Sequence, residues 1–451
     1  MEYRLDRDSM GEMRVPAHAL YGAQTQRAVE NFPISGWRFP RAFIRALGLL
    51  KSAAARVNGE IGQLPPELAT SIAKAADQVA AGEHDDQFVV DIFQTGSGTS
   101  TNMNANEVIG HLAGAHPNDD VNRGQSSNDV IPSAIHISAA LLANEDLLPA
   151  MAELAAALNN KAGEFAGIVK MGRTHLQDAV PMLFGQEFGG YAAQVEQSAA
   201  RVRAALQGIY ELPLGGTAIG TGLNAVPGFA RAVIADIAAG TGLAFREASN
   251  HFEAQAAKDA VSFLSGALKT YAVALTKIAN DIRWLASGPR SGLGELKLPE
   301  TQPGSSIMPG KINPVIAESL LMACAQVIGY DAAITWCCAA GNFELNVMMP
   351  VMAYDLLESI ALLAAVSRNF SRRAIAGLQV DRERASAFVE RSLAMCTVLA
   401  PVIGYDKAAA IAKEAYRSGR TVREVARELS GIPEDRLNQL LDPRSQTGAV
   451  L

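Results

Sequence analysis

The chain has 451 residues, enough for about three domains of ~150 residues or one large elongated body, so a single small module is excluded. Lysine and arginine number 39 against 46 aspartates and glutamates, a formal net charge of -7, which excludes the basic footprint that binding a phosphate backbone requires. Hydrophobic residues make up 49% and charged residues only 19%, which implies a large core and some exterior buried against other chains.

The opening MEYRLDRDSMG is charged and lacks the apolar centre of an export signal, which predicts a cytoplasmic protein. Residues 1–126 mix short helices with turns at Pro33, Gly36, Pro40, Pro65 and Pro66, and are expected to form an N-terminal domain. Five long helices follow in a central domain, 127–385. Leu147, Met151, Leu154 and Leu158 space the first; Phe188, Tyr191, Val195, Val202, Leu206 and Ile209 space the second. Between Glu253 and Ser287, the apolar residues Leu264, Leu268, Tyr271, Leu275, Ile278, Ile282 and Leu285 alternate steps of four and three, a heptad seam. A helix over that whole span would be roughly 50 Å long, more than one small domain covers by itself. Val315 to Thr335 is apolar all round, as expected at the middle of a bundle, and Val347 to Phe370 supplies the fifth helix.

From Glu318 to Glu344 only Asp331 is charged between the ends, which raises a membrane span. Gln326, Asp331 and the small residues favour a helix buried within protein instead, so no membrane is expected. Beyond Arg382 the pattern shortens to a helix over Asp406–Ser418, a TVREVARE helix and a turn at Gly431-Ile432-Pro433, which together predict a small helical domain, 386–451. Four cysteines, Cys324, Cys337, Cys338 and Cys396, are too few for a disulfide framework and fit a reducing compartment, with Cys337-Cys338 as buried packing.

Two glycine-rich runs imitate nucleotide sites and fail. TGSGTST puts Thr101 where a dinucleotide fingerprint needs its third glycine. GGTAIGTG has Gly215 and Gly220 at P-loop spacing but Thr221 in place of the lysine. No HExxH, GxSxG or paired-cysteine metal spacing occurs. Ala286-Ser287-Gly288, a tripeptide that cyclises to an electrophile in some ammonia-lyases, reads as a helix end before Pro289.

Polar, glycine-punctuated segments remain inside an apolar helical chain: Thr95–Asn106, His116–Asp129, Gly172–Asp178 and Gly304–Asn313. Each alone is a capped turn. Together they gather hydroxyls and amides that a small polyanion would satisfy. GSSIMPGKIN is the most informative. Gly304 and Gly310 allow backbone conformations closed to other residues and Pro309 stiffens the return, so the run predicts a mobile lid. Its Lys311 can neutralise a carboxylate and its NH groups can hold an oxyanion. Taken alone, His175 in GRTHLQDA and His116 in HPNDD read as structural donors or turn residues.

The four segments together resemble the fumarase/aspartase superfamily, with GSSIMPGKIN similar to its signature loop, and the likeness runs from DSMGEMRVPAHALYGAQTQRAVENFPIS through GNFELN. Within the superfamily the match is closest to the metal-independent class II fumarases, on Ser97, where aspartases tend to carry alanine, and His175, where they tend to carry glutamine. The resemblance implies a mainly α, three-domain fold whose five long helices form a twenty-helix core in a homotetramer, with each site built from three subunits. It implies reversible hydration of fumarate to L-malate through an aci-carboxylate, without cofactor or metal; aspartate ammonia-lyase and an inactive helical scaffold are the rival readings. By matching position, Ser305 resembles the base, and His175 paired with Glu318 the acid. Ser97, Thr99, Ser126, Ser127, Asn128, Thr174, Ser306, Lys311 and Asn313 resemble ligands of the substrate. His116, Asn118 and Asp119 resemble a secondary anion site, although no arginine or lysine lies between Ile109 and Asn122 to support one. Cys337-Cys338 also departs from the small residues usual there.

Overall fold

Residues 3–16 pair as an antiparallel hairpin, Tyr3–Asp8 against Gly11–Pro16, which no hydrophobic alternation announces because Tyr3 and Leu5 are themselves exposed. The computed structural model describes residues 2–448. The chain forms two compact units, one built from the chain up to Pro149 with Ser198–Ala272 and Ala323–Ala365, the other from Ala150–Gln197, Val273–Met322 and the chain from Val366 onward.

In the first unit, the helix Arg41–Glu60 buries Phe43, Leu47, Leu50 and Ala54 on a face spaced by threes and fours. It packs against Pro66–Ala81, Ser127–Leu142 and Phe229–Thr241. Gly48 permits the first of these contacts, because a Cβ there would meet the Ala76 carbonyl and the Ala80 backbone at 2.8 Å or closer.

In the second unit, Val169–Thr174 and Gln177–Leu183 form an antiparallel hairpin in which Thr174 faces Gln177. His175 and Leu176 make its two-residue turn, both left-handed at φ 56° and 60°. That geometry normally selects Asn-Gly, so these side chains are held at a conformational cost of about 1–3 kcal/mol each. Under the hairpin, fully buried Lys170 pairs with Glu187 at 2.6 Å and Arg173 with fully buried Glu295 at 2.6 Å. Met171 joins Val389, Leu399, Ile411, Val425 and Leu437 in the core of the C-terminal segment.

Five long helices stand where the apolar spacing places them: Leu148–Glu164, Phe184–Ile209, Asp259–Leu285, Val315–Ala339 and Met349–Phe370. The third starts later than the heptad span suggests. A separate helix, His251–Ala256, ends at extended Ala257, and buried Lys258 donates to the carbonyls of Ala254 and Gln255 at its end. At its other end the long helix stops at Leu285, and Ala286 and Ser287 donate back to Ile282 and Trp284, so Ala286-Ser287-Gly288 is a helix terminus.

Within one chain the helix Val315–Ala339 is not the buried element that its composition suggests: Met322 is 68% and Trp336 78% exposed. Among the described residues, it and Met349–Ile375 are long and apolar enough to cross a membrane by length and composition. The C-terminal helix Val422–Leu429 opens with a capping box in which Thr421 and Glu424 satisfy each other's NH groups. Thr421→Ala should therefore lower the unfolding free energy by about 1 kcal/mol in a urea titration, and an unchanged midpoint would show the cap to be idle.

Candidate active site

The TGSGT corner is shaped by its glycines. A Cβ on Gly96 would collide with the Val347 carbonyl, and Met349 NH donates to the Gly96 carbonyl at 3.0 Å. Gly98, left-handed at φ 72°, then starts the helix Thr99–Ala113. This turn delivers buried Ser97 to Thr99, with 2.8 Å between their hydroxyl oxygens, and Thr99 to Ser127 at 2.7 Å. Ser127 is the first residue of the helix Ser127–Leu142, whose N-terminus Ser126 and Asp129 close as a capping box. Ser97, Thr99, Ser126, Ser127 and Asn128 thus share one place in the first unit, where hydroxyls and a helix N-terminus converge, an arrangement suited to a carboxylate.

The glycine-rich run that imitates a P-loop is part of this construction. Gly215 and Thr217 donate their NH groups to one Asp129 oxygen, both at 3.0 Å, and Asn128 donates its side-chain amide to the Ala218 carbonyl at 2.8 Å. Those NH groups are engaged by protein rather than phosphate. Burial pushes the Asp129 carboxyl up, and the NH donors and Lys51 oppose that push. Asp129 shapes this corner, a contribution the sequence analysis overlooked; its signal is the acid three residues after Ser126 at a helix start.

In the second unit, Thr174 and His175 are exposed at the hairpin tip and the signature loop closes on itself. Gly304 NH donates to the Lys311 carbonyl at 2.8 Å, and Asn313 donates its amide to the Gly304 carbonyl. Gly304 is required for that close approach and not for a left-handed φ, since a Cβ there would collide with the Lys311 carbonyl; Gly310 is the left-handed one, at φ 78°. Ser305 Oγ accepts NH groups from Ile307 at 3.2 Å and Met308 at 3.0 Å. The loop borders an open cleft of about 430 Å³ that Ser305 and Lys311 line, with Ser306 exposed beside them. Glu318 lies in the first turn of the next helix, and among the described residues no hydrogen bond or ion pair joins it to His175 within one chain.

His116 caps the short helical turn Pro117–Val121, and His116, Asn118 and Asp119 are exposed. There His116 Nδ1 accepts the Asp119 NH at 3.0 Å and the His116 NH donates to Asp120 at 2.8 Å. The charges next to that histidine are carboxylates, which do not favour an anion. Cys337 is buried and Cys338 half-buried, and burial pushes their thiols up to about 11 and about 12, which makes them poor nucleophiles. Among the described residues no group of three or more His, Cys, Asp and Glu side chains is placed to hold a metal ion.

Residues 11–329 match a family described as lyase and residues 395–448 one described as fumarase C C-terminus, so fold and site together define a member of this lyase class. A class II fumarate hydratase of Xylella fastidiosa (strain Temecula1 / ATCC 700964) is 53% identical over 451 residues, covering 99% of this chain and 95% of its own. Another, of Mycobacterium tuberculosis (strain CDC 1551 / Oshkosh), is 55% identical over 442 residues, covering 97% and 93%. The crystal structure of recombinant class II fumarase from Schistosoma mansoni has a TM-score of 0.96 at 39% identity and covers 98% of each chain. The chain belongs to the class II fumarate hydratase family.

Proposed function

We propose that this chain is a hydro-lyase that adds water reversibly and anti across fumarate to give L-malate. The C3 proton of malate is weakly acidic, and its loss places a second negative charge on the adjacent carboxylate as an aci form. Stabilising that dianion is the main demand on the site. Thr99, Ser126, Ser127, Asn128, Thr174, Ser306, Lys311 and Asn313 hold the two carboxylates, with Ser97 behind Thr99. Lys311 supplies an ammonium and the helix that starts at Ser127 supplies a fixed dipole.

The observation that carries the reading is at Ser305. A serine hydroxyl is ordinarily too weak a base, but two loop NH groups already donate to its Oγ, so an alkoxide there is stabilised before substrate arrives. Ser305 takes the C3 proton. His175, held by Glu318, gives a proton to the departing hydroxyl, which leaves as water; in the other direction both transfers reverse.

We further propose that the active enzyme is a homotetramer whose sites each draw on three subunits, with the long helices as its twenty-helix core. Exposed apolar side chains on two of those helices, Phe263 and Val273 on one and Met322 and Trp336 on the other, support burial against further copies. The sequence divides for this purpose into an N-terminal domain 1–126, a central domain 127–385 and a C-terminal domain 386–451. Four free cysteines support a cytoplasmic setting. Purified protein should convert L-malate to fumarate in a continuous ultraviolet assay and release no ammonia from L-aspartate. Turnover of aspartate with none of malate would make it an ammonia-lyase, and none of either would leave a structural scaffold.

A further inference from the structure

Lys51 is fully buried in the middle of the helix Arg41–Glu60, on the face that otherwise carries Leu47, Leu50 and Ala54. A lysine at such a position costs stability unless its ammonium is hydrogen-bonded or paired. Its Nζ donates to Asn122 Oδ1 at 3.0 Å and to Gln125 Oε1 at 2.9 Å. Asn102 and Asn106 also donate to Asn122 Oδ1, at 3.2 and 3.1 Å, while their own side-chain oxygens are buried without a partner. The pocket is rich in acceptors, which suits a cation.

What this pocket holds is the approach to Ser126. Asn122 donates its amide to the Gln125 carbonyl at 3.0 Å, and Gln125 donates its own to the carbonyls of Val121 and Arg123, both at 3.2 Å. The next three residues are Ser126, Ser127 and Asn128. We propose that Lys51 is a positioning residue for substrate: its buried ammonium locks Asn122 and Gln125 and so fixes the Ser126–Asn128 turn in the shape that receives a carboxylate. This rests on the reading of that turn as carboxylate-binding.

The charge matters as well as the hydrogen bonds. Burial brings the Lys51 ammonium down to about 7, with Asp129 pulling the other way. Asp129, on the helix Ser127–Leu142, is the acid whose field reaches it. Asp77 and Asp236, on the Pro66–Ala81 and Phe229–Thr241 helices packed on the same element, are paired with Arg56. From the helix Thr99–Ala113, Glu107 accepts the NH groups of Gly22, Gln24 and Thr25, and the 99–125 stretch meets Lys51 with amides. Because the charge is present below about 7 and lost above it, a dianionic ligand binds less well as pH rises through that value.

The test is steady-state kinetics on full-length enzyme with L-malate, in parallel with Ser127→Ala. Lys51→Met, similar in length but neutral, should raise KM about tenfold at neutral pH with kcat within about threefold of wild type. It should also abolish the rise of wild-type KM through neutral to alkaline pH. An unchanged KM, even with a lower melting temperature, overturns the proposal, as does a retained alkaline rise in KM. If Lys51→Met does not fold, Gln125→Leu, which keeps the lysine and removes one acceptor, should raise KM severalfold, and an unchanged KM overturns it equally. Ser127→Ala separates the two readings: if it raises KM while Lys51→Met does not, only the role of Lys51 fails; if Ser127→Ala leaves KM unchanged, the carboxylate reading fails and takes the proposal with it.

Discussion

Ser305→Ala should lower kcat for malate by about 10²-fold or more if Ser305 is the base proposed for the C3 proton, since the other proposed substrate contacts stay in place. KM should move far less than kcat. The loop geometry makes the variant clean: Gly304 NH to Lys311 carbonyl and Asn313 to Gly304 carbonyl close the loop without the Ser305 side chain. The NH groups of Ile307 and Met308 lose an acceptor but sit on an exposed segment where water replaces it. Solvent exchange of the C3 proton of malate offers a second readout. With Ser305 as base, exchange should fall together with turnover. Near-wild-type turnover would remove Ser305 from the chemistry and leave its two NH contacts as a loop-shaping feature.

His175→Asn should cost a similar factor, about 10² in kcat, through the other proton. Asparagine tolerates the left-handed backbone that His175 adopts at φ 56°, so the hairpin tip keeps its shape while the titratable ring is lost. The expected outcome is a lower kcat, a nearly unchanged melting temperature and undisturbed exchange of the C3 proton. That combination distinguishes it from Ser305→Ala, in which exchange and turnover fall together. Full activity in the asparagine variant would mean that water or another group protonates the leaving hydroxyl.

Much of the helical framework is legible in the chain because long amphipathic helices repeat their signal over many turns. The heptad through Leu264, Leu268, Tyr271, Leu275, Ile278, Ile282 and Leu285 is buried as its spacing predicts. Short elements were less legible. The hairpins at 3–16 and 169–183 carry charges and half-exposed residues where an alternating apolar face would betray a strand, and the turn at His175-Leu176 uses residues that do not advertise a left-handed backbone. The break before Asp259 is capped by Lys258 reaching back three and four residues to the Gln255 and Ala254 carbonyls, a local side-chain contact that apolar spacing does not report.

The site divides in the same way. Local features were readable: His116–Asp129 as a capped turn, within which Ser126 caps a helix, and Gly304–Asn313 as a loop and not a helix. Lys51 was not, because its partner Asn122 lies 71 residues away, and the capping position of Asp129 gives no hint of its partner Gly215, 86 residues away. The Val315–Ala339 helix shows the limit from the other side, since its all-round apolar sequence does not tell which of its faces one chain leaves exposed.

Subunit mixing tests the shared site most directly. The Ser305→Ala and His175→Asn variants would be denatured together, renatured and assayed with malate. If those two residues reach one site from different chains, random hybrids contain intact sites, and the mixture should recover roughly a quarter of wild-type activity. Activity that stays at the sum of the two parents, in hybrids verified as mixed tetramers, would place both residues in a site made by a single chain and contradict the account.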